Sequence, residues 1–207
     1  MRMSNISRQT RETNIELDLN LDGKGHAEIN TGSGFFDHML ELFAAHGKFD
    51  LKVKCDGDIR VDFHHSAEDI GIVLGQAVKT ALGDKAGITR YSDIILPMDE
   101  ALILCAIDIS GRAYLNYKVN LKATKIGDND TATRSAMVGG FDTELVEEFL
   151  LAFVRTAQVS LHIIQLEGSN THHIIEGIFK AFGRVLRKAV YIDVDFLGVI
   201  PSTKGTL

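Results

Sequence analysis

Two stretches of the chain share the pattern Asx-x-His-His-x-x-Glu. They are Asp62-Phe63-His64-His65-Ser66-Ala67-Glu68 and Asn170-Thr171-His172-His173-Ile174-Ile175-Glu176, and they begin 108 positions apart. Each opens an apolar run with helical spacing: Ile70, Val73, Leu74, Ala77, Val78 and Ala81 after the first, Ile178, Phe179, Phe182, Leu186 and Ala189 after the second. The Asx of each falls where a helix N-cap belongs, its side-chain oxygen available to a free backbone N–H. Two imidazoles and a carboxylate in one helical turn are donors that suit Mn, Fe, Co, Ni or Zn. Adjacent helical residues project about 100° apart, whereas residues four apart share a face. His64 can therefore act with Glu68, and His172 with Glu176, while His65 and His173 turn toward a second ion. A metal shared by both motifs would tie the two halves of the chain, or neighbouring chains, together.

The rest of the sequence repeats with the motifs. Ile15, Leu17, Leu19 and Leu21 alternate with polar residues as a half-buried strand. Asp22-Gly23-Lys24-Gly25 offers a tight turn, and Ala27 and Ile29 continue as a return strand. A short helix from Phe35-Phe36-Asp37 to His46-Gly47, a strand with Phe49, Leu51, Val53 and Cys55, and the first His-His helix closed by Gly83 complete this half. The second half follows suit: a strand over 101–109, a turn at Ser110-Gly111, a return strand over 112–120, a helix over 142–157, a strand over 160–166 and the second His-His helix. Between them, 122–140 is rich in Thr, Gly, Asp and Asn and reads as a loop. Phe36-Asp37 and Phe141-Asp142 open the corresponding first helices, and Gly75 matches Gly183 in the second ones. The expectation is one α/β domain over 1–207, an α+β two-layer sandwich made of half-domains of about 1–90 and 91–207.

Composition excludes some classes. A net charge of −6 provides no general basic field for nucleic acid. Cys55 and Cys105 lie inside apolar strands, as reduced buried thiols do. Residues 1–10 are polar and carry no secretory signal, and no apolar run approaches the ~18 residues of a membrane span. A cytoplasmic protein is expected.

Longer motifs carry a family resemblance. They include Gly32-Ser33-Gly34-Phe35-Phe36-Asp37-His38-Met39-Leu40, Pro97-Met98-Asp99-Glu100-Ala101-Leu102, Ser110-Gly111-Arg112, Leu161-His162-Ile163 and Pro201-Ser202-Thr203-Lys204-Gly205. With both His-His-x-x-Glu motifs and Asp142-Thr143-Glu144-Leu145-Val146-Glu147-Glu148-Phe149, they make the chain resemble the imidazoleglycerol-phosphate dehydratases, in order, from about Glu12 onward. The resemblance implies half-domains like the second domain of ribosomal protein S5 and a cubic homo-oligomer of about two dozen chains. It also implies two manganese ions per active site, set between subunits and held by His38, His64, His65, Glu68, His162, His172, His173 and Glu176.

The implied reaction dehydrates imidazole glycerol phosphate to imidazole acetol phosphate in histidine biosynthesis. The C–H to be broken has no neighbouring carbonyl, so the metal must activate the imidazole while a carboxylate moves protons. Glu12, in the Glu-Thr segment, is the candidate for the proton, and His46 is assigned to the substrate side or to structure. Arg90, Arg112, Ser202 and Lys204, with Lys180, are the implied phosphate ligands. Two positions depart from the family pattern: Phe63 stands where a second Asp is usual, and Ser66 where Thr is common. A metal-storage assembly and a metallohydrolase are the competing classes, and the phosphate-binding set argues against the first.

Overall fold

The computed structural model describes residues 2–121, 124–125, 133–134 and 137–207. The first half runs β1 (Met3–Gln9), β2 (Thr13–Asn20), β3 (Ala27–Asn30), α1 (Gly34–Gly47), β4 (Asp50–Gly57) and α2 (His64–Leu82). The second half begins with β5 (Tyr91–Met98), β6 (Ala101–Asp108) and β7 (Tyr114–Lys118). Four two-residue strands follow: β8 (Thr124–Lys125), β9 (Thr133–Arg134), β10 (Met137–Val138) and β11 (Phe141–Asp142). Then come α3 (Leu145–Ala157), β12 (Ser160–Glu167), α4 (Thr171–Ala189) and a short 3₁₀ turn, Val194–Phe196. The loop expected over 122–140 lies largely outside the described residues; at its edges β8 pairs with β9, and β10 with β11.

The two large sheets have orders β1-β2-β4-β3 and β5-β6-β12-β7. In each, the first three strands are antiparallel and the fourth is parallel to the third. The tight hairpins expected over 13–29 and 101–120 do not form, because β4 inserts between β2 and β3, and β12 between β6 and β7. Asp50 shows why in the first half. Its Oδ1 accepts the backbone N–H of Lys24 at 2.8 Å and of His26 at 3.2 Å. A Cβ on Gly23 would lie 2.3 Å from the Asp50 nitrogen. The glycine-rich turn thus wraps the start of β4 instead of closing on β2.

The edge strands β1 and β5 escaped the periodicity reading. β1 is polar and lies at the sheet margin, held to α2 by Ser4 Oγ donating to Ala77 O at 2.9 Å and by an Arg8–Asp69 pair at 3.0 Å. β5 contains Pro97, which an edge strand tolerates because one side of its ladder is unpaired.

Each half is a sheet covered by two helices, and the halves meet helix to helix. α1 crosses α4, and α2 crosses α3, leaving both sheets on the outside. The apolar sides of all four helices and the inner sheet faces form one continuous core. Phe36, Phe149 and Phe179 lie at its centre, with ring centroids 5.3–6.3 Å apart. Phe141-Asp142 does not open α3, which starts at Leu145; Phe141 instead stacks on Phe36 at 5.3 Å. The matched glycines are the crossing points. A Cβ on Gly183 would meet Phe43 O at 2.4 Å, and one on Gly75 would meet Phe153 O at 2.6 Å.

This closeness predicts that Gly183→Ala, although helix-favouring locally, loses about 1–3 kcal/mol by overpacking. Urea unfolding should show a lower midpoint, with the same expected for Gly75→Ala.

Candidate metal centre

Helix α4 begins with a side-chain cap. Asn170 Oδ1 accepts the backbone N–H of His172 at 2.9 Å and of His173 at 3.4 Å, which fixes the first turn that carries both histidines. Four residues apart, His172 Nε2 and Glu176 Oε2 lie 3.5 Å from each other. Helix α1 brings His38 to the same place. Its own start is fixed by Asp37, which accepts the Thr31 N–H at 2.7 Å and the Thr31 hydroxyl at 2.6 Å. Phe35, three residues before His38, packs edge-on against the His172 ring at 5.4 Å. One donor atom each from His38, His172 and Glu176 falls within 4.8 Å of the others. That is close to the roughly 4 Å spread of donors around one ion with bonds of about 2.1 Å. Two imidazoles and a carboxylate fit a borderline divalent metal.

The second histidine of each motif is oriented by a carboxylate. His173 Nδ1 lies 2.7 Å from Glu100 Oε2, and His65 Nδ1 lies 3.0 Å from Asp58 Oδ2. Holding Nδ1 this way leaves Nε2 of each ring free to bind a metal. Glu100 also accepts the N–H of Asn170 at 2.8 Å, so it secures the α4 start as well as the ring. The His173 contact, helped by these N–H groups, pulls the Glu100 carboxyl down to about 2. Reciprocally, Glu100 raises the His173 pKa, and Asp58 raises that of His65. Neither Asp58 nor Glu100 carries a role from the sequence alone; Asp58 follows the strand that leads into its motif, but Glu100 lies in the β5–β6 turn, some seventy positions before the motif it serves.

The cap of α2 differs from that of α4. The N-cap position falls to Phe63, which supplies no side-chain bond, and Asp62 instead accepts the His64 N–H at 2.8 Å. Ser66 Oγ is buried without a hydrogen-bond partner among the described residues, and a Cβ on Gly57 would sit 2.1 Å from it. Glu12 Oε1 lies 3.8 Å from His65 Nε2, on the ring edge away from Asp58. His64 and Glu68 share this end of α2.

The remaining candidates are not all gathered here. His162 projects from the outer face of its sheet, where Asn116 Nδ2 lies 3.2 Å from its Nδ1 and the Tyr114 ring is 5.5 Å away. Lys180 reaches Glu176 at 2.6 Å. Burial tends to raise the Glu176 pKa, but Lys180 and His172 outweigh it and hold the carboxyl below its ordinary value. His46, at the last turn of α1, is shifted down by burial and by Lys180 and Arg184. Arg90 pairs with Asp108 at 2.8 Å and donates to Pro201 O at 2.7 Å, which seats the segment carrying Ser202 and Lys204. Arg112 follows the end of β6 and donates to Ser110 O at 3.3 Å. Glu100 stands at the opposite end of β6 from Asp108, eight residues or roughly 25 Å away at ~3.3 Å per residue. Within one chain, then, the Arg90 cluster and the second motif are far apart.

Residues 31–186 match the family model described as imidazoleglycerol-phosphate dehydratase. The chain belongs to that family. Among related imidazoleglycerol-phosphate dehydratases, that of Oceanobacillus iheyensis is 55% identical over 207 residues, covering 100% of both chains. That of Xanthobacter autotrophicus is 53% identical, covering 100% of this chain and 99% of the relative. The solved Staphylococcus aureus imidazoleglycerol-phosphate dehydratase aligns with a TM-score of 0.78 and 40% identity over 92% of this chain and 99% of its own. The Pyrococcus furiosus enzyme, solved in complex with (S)-C348, aligns at 0.78 and 36% over 98% and 100%. The mixed α/β architecture is therefore that of solved imidazoleglycerol-phosphate dehydratases, and the chain is a hydro-lyase of histidine biosynthesis.

Removing either orienting carboxylate should weaken the metal site without unfolding the chain. Glu100→Gln and Asp58→Asn are each expected to reduce Mn²⁺ affinity about 10–100-fold by calorimetric titration. Far-UV circular dichroism should be unchanged.

Proposed function

We propose that the protein dehydrates D-erythro-imidazole-glycerol phosphate to imidazole-acetol phosphate and water, with two manganese ions per site, as a cytoplasmic homo-oligomer whose sites form between subunits. The His38–His172–Glu176 group is the observation that carries the metal dependence, because it supplies matched donors from two helices of opposite halves. His173 and His65, each with Nδ1 held by a carboxylate, would contribute to the second ion, with His64, Glu68 and His162 completing the set across subunits. Bound manganese would supply Lewis-acid activation of the substrate imidazole.

The chain's own residues account for the remaining steps. Glu12 lies beside the free edge of His65 and would accept a proton from the substrate carbon or deliver one to the departing hydroxyl. Arg90, Arg112, Ser202 and Lys204 would hold the phosphate, with Lys180 beside Glu176 and His46 on the substrate side.

Two observations support a site shared between copies. One is the roughly 25 Å between the Arg90 end and the Glu100 end of β6. The other is a difference between the outer sheet faces. The first is charged, with Glu16, Asp18, Lys52 and Lys54 exposed on β2 and β4. On the second, Ile95, Leu104 and Ile164 sit in one cross-strand row, with Leu166 and Tyr114 nearby and His162 on the same face. An apolar face of this kind suits contact with another copy, and it would carry His162 there too. We therefore read the 24-chain assembly as one in which this face is covered.

Three experiments test the reading. Chelator-treated protein should be inactive toward imidazole glycerol phosphate and regain turnover with Mn²⁺; failure of manganese to restore it would rule out the metal role. Glu12→Gln should keep metal and assembly but lose about 10²–10⁴-fold in kcat, the range of a positioned acid–base group. Full activity in this variant would remove Glu12 from the chemistry. Ile95→Asp, at a position 56% exposed in the single chain, should leave the fold intact while sedimentation shows smaller assemblies. Unchanged sedimentation would place the contact elsewhere.

A further inference from the structure

Where helices α2 and α3 both end, an open cavity of about 740 Å³ carries Lys79, Thr80, Lys85, Arg155, Thr156 and Gln158 on its walls. None of its lining side chains is a carboxylate. Lys85 is the unusual member. It is only 7% exposed, yet its ammonium makes no hydrogen bond or ion pair among the described residues. Its backbone is left-handed, with φ of 63°. Asparagine or glycine adopts that conformation more readily than lysine does. A lysine here thus carries the cost of a disfavoured backbone, and its buried stem delivers an ammonium to the cavity with no partner among the described residues. Arg155 is exposed beside it and unpaired among the described residues, while Lys79 donates to Gln158 Oε1 at 2.7 Å.

We propose that this cavity is an oxyanion site that takes a phosphate-bearing small molecule, separate from the metal centre. Lys85 and Arg155 would supply the charge, Lys79 would reinforce it, and the Thr80 and Thr156 hydroxyls would add neutral hydrogen bonds. The volume is on the scale of small-molecule sites, so the ligand can be larger than inorganic phosphate. The site is connected to the segment that carries Ser202. After Lys85 the chain is tied to it by Gly87 N–H to Val199 O at 2.8 Å, by Asp193 N–H to Gly87 O at 2.8 Å, and by Arg90 to Pro201. An anion fixing Lys85 would therefore steady the base of that segment. Lys85 is a ligand-binding group in this account and takes no part in the dehydration.

Inorganic phosphate is the probe, titrated into the manganese-loaded enzyme by calorimetry. Two classes of site are expected in the wild type. Lys85→Met, which keeps the buried length of the side chain, should abolish one class or weaken it about tenfold or more, and so should Arg155→Ala. Lys204→Ala should weaken only the other class. Turnover at saturating substrate without added phosphate should be unchanged in Lys85→Met. If phosphate binding is identical in wild type, Lys85→Met and Arg155→Ala, the proposal is wrong. It also fails if phosphate binds there only after Leu207, which lines the cavity, is removed, since the chain's own segment is then the occupant. A third overturning result is that Lys85→Met leaves phosphate binding alone but changes the sedimentation of the assembly. That would assign the lysine to a subunit contact.

Discussion

The close crossing of helices from opposite halves is the constraint on which the site depends. Gly183 lets α4 approach α1 until a Cβ would touch the Phe43 carbonyl, and Gly75 does the same for α2 and α3. Only at that separation does His38, from the first half, stand among His172 and Glu176, from the second. The same crossing places Phe36 against Phe141, Phe149 and Phe179, so the apolar core and the polar donor group are set by one contact. A substitution that separates these helices would injure stability and scatter the donor group together, although it touches none of its members.

Placing the helices inside has a second consequence. Both sheets become outer surfaces, and they have diverged. One alternates cleanly between a buried apolar face and a charged one, as an open antiparallel sheet should. The other keeps Ile95, Leu104, Ile164 and Leu166 on its outer face, where a solitary chain has no use for them. His162 stands in that apolar setting, remote from the other imidazoles. Arg90 and the second motif likewise stand at opposite ends of β6, so the shared-site proposal rests on two independent features of one sheet.

Much of this was legible in the sequence because the duplication exposed it. The helices α1, α2 and α4, the strands β2, β4, β6 and β12, and the role of Gly75 and Gly183 as an equivalent pair follow from periodicity and spacing. What was missed has physical reasons. β1 brings only Ile6 to the core and otherwise wins its place through ladder bonds and the Arg8–Asp69 pair, neither of which leaves an alternating apolar signal. The order of strands was misjudged because Asp22-Gly23-Lys24-Gly25 looks like a hairpin turn. Its glycine in fact makes room for Asp50, 27 positions after Gly23 in sequence. Local chemistry specified a turn, but a distant strand decided what the turn encloses. Phe141 misled in the same way: an aromatic before an acidic helix start resembles Phe36-Asp37, but here its ring serves the core and the helix begins later.

The orienting acids show what duplication can do beyond doubling a site. Glu12 immediately precedes β2, and Glu100 immediately precedes β6, so the two occupy the same place in the repeated order. Their surroundings give them different work. In the second half Glu100 is fully engaged, holding His173 Nδ1 and capping the start of α4 through two backbone N–H groups. In the first half Asp58, just after β4, takes over the task at His65 Nδ1. Relieved of orienting the ring, Glu12 can approach the opposite edge, where it is 3.8 Å from Nε2. A carboxylate already committed to three donors is a poor proton carrier, because protonation would have to break those bonds. The repeat thus supplies the same residue twice, and Asp58 in the first half frees Glu12 from the ring-orienting contact that occupies Glu100 in the second.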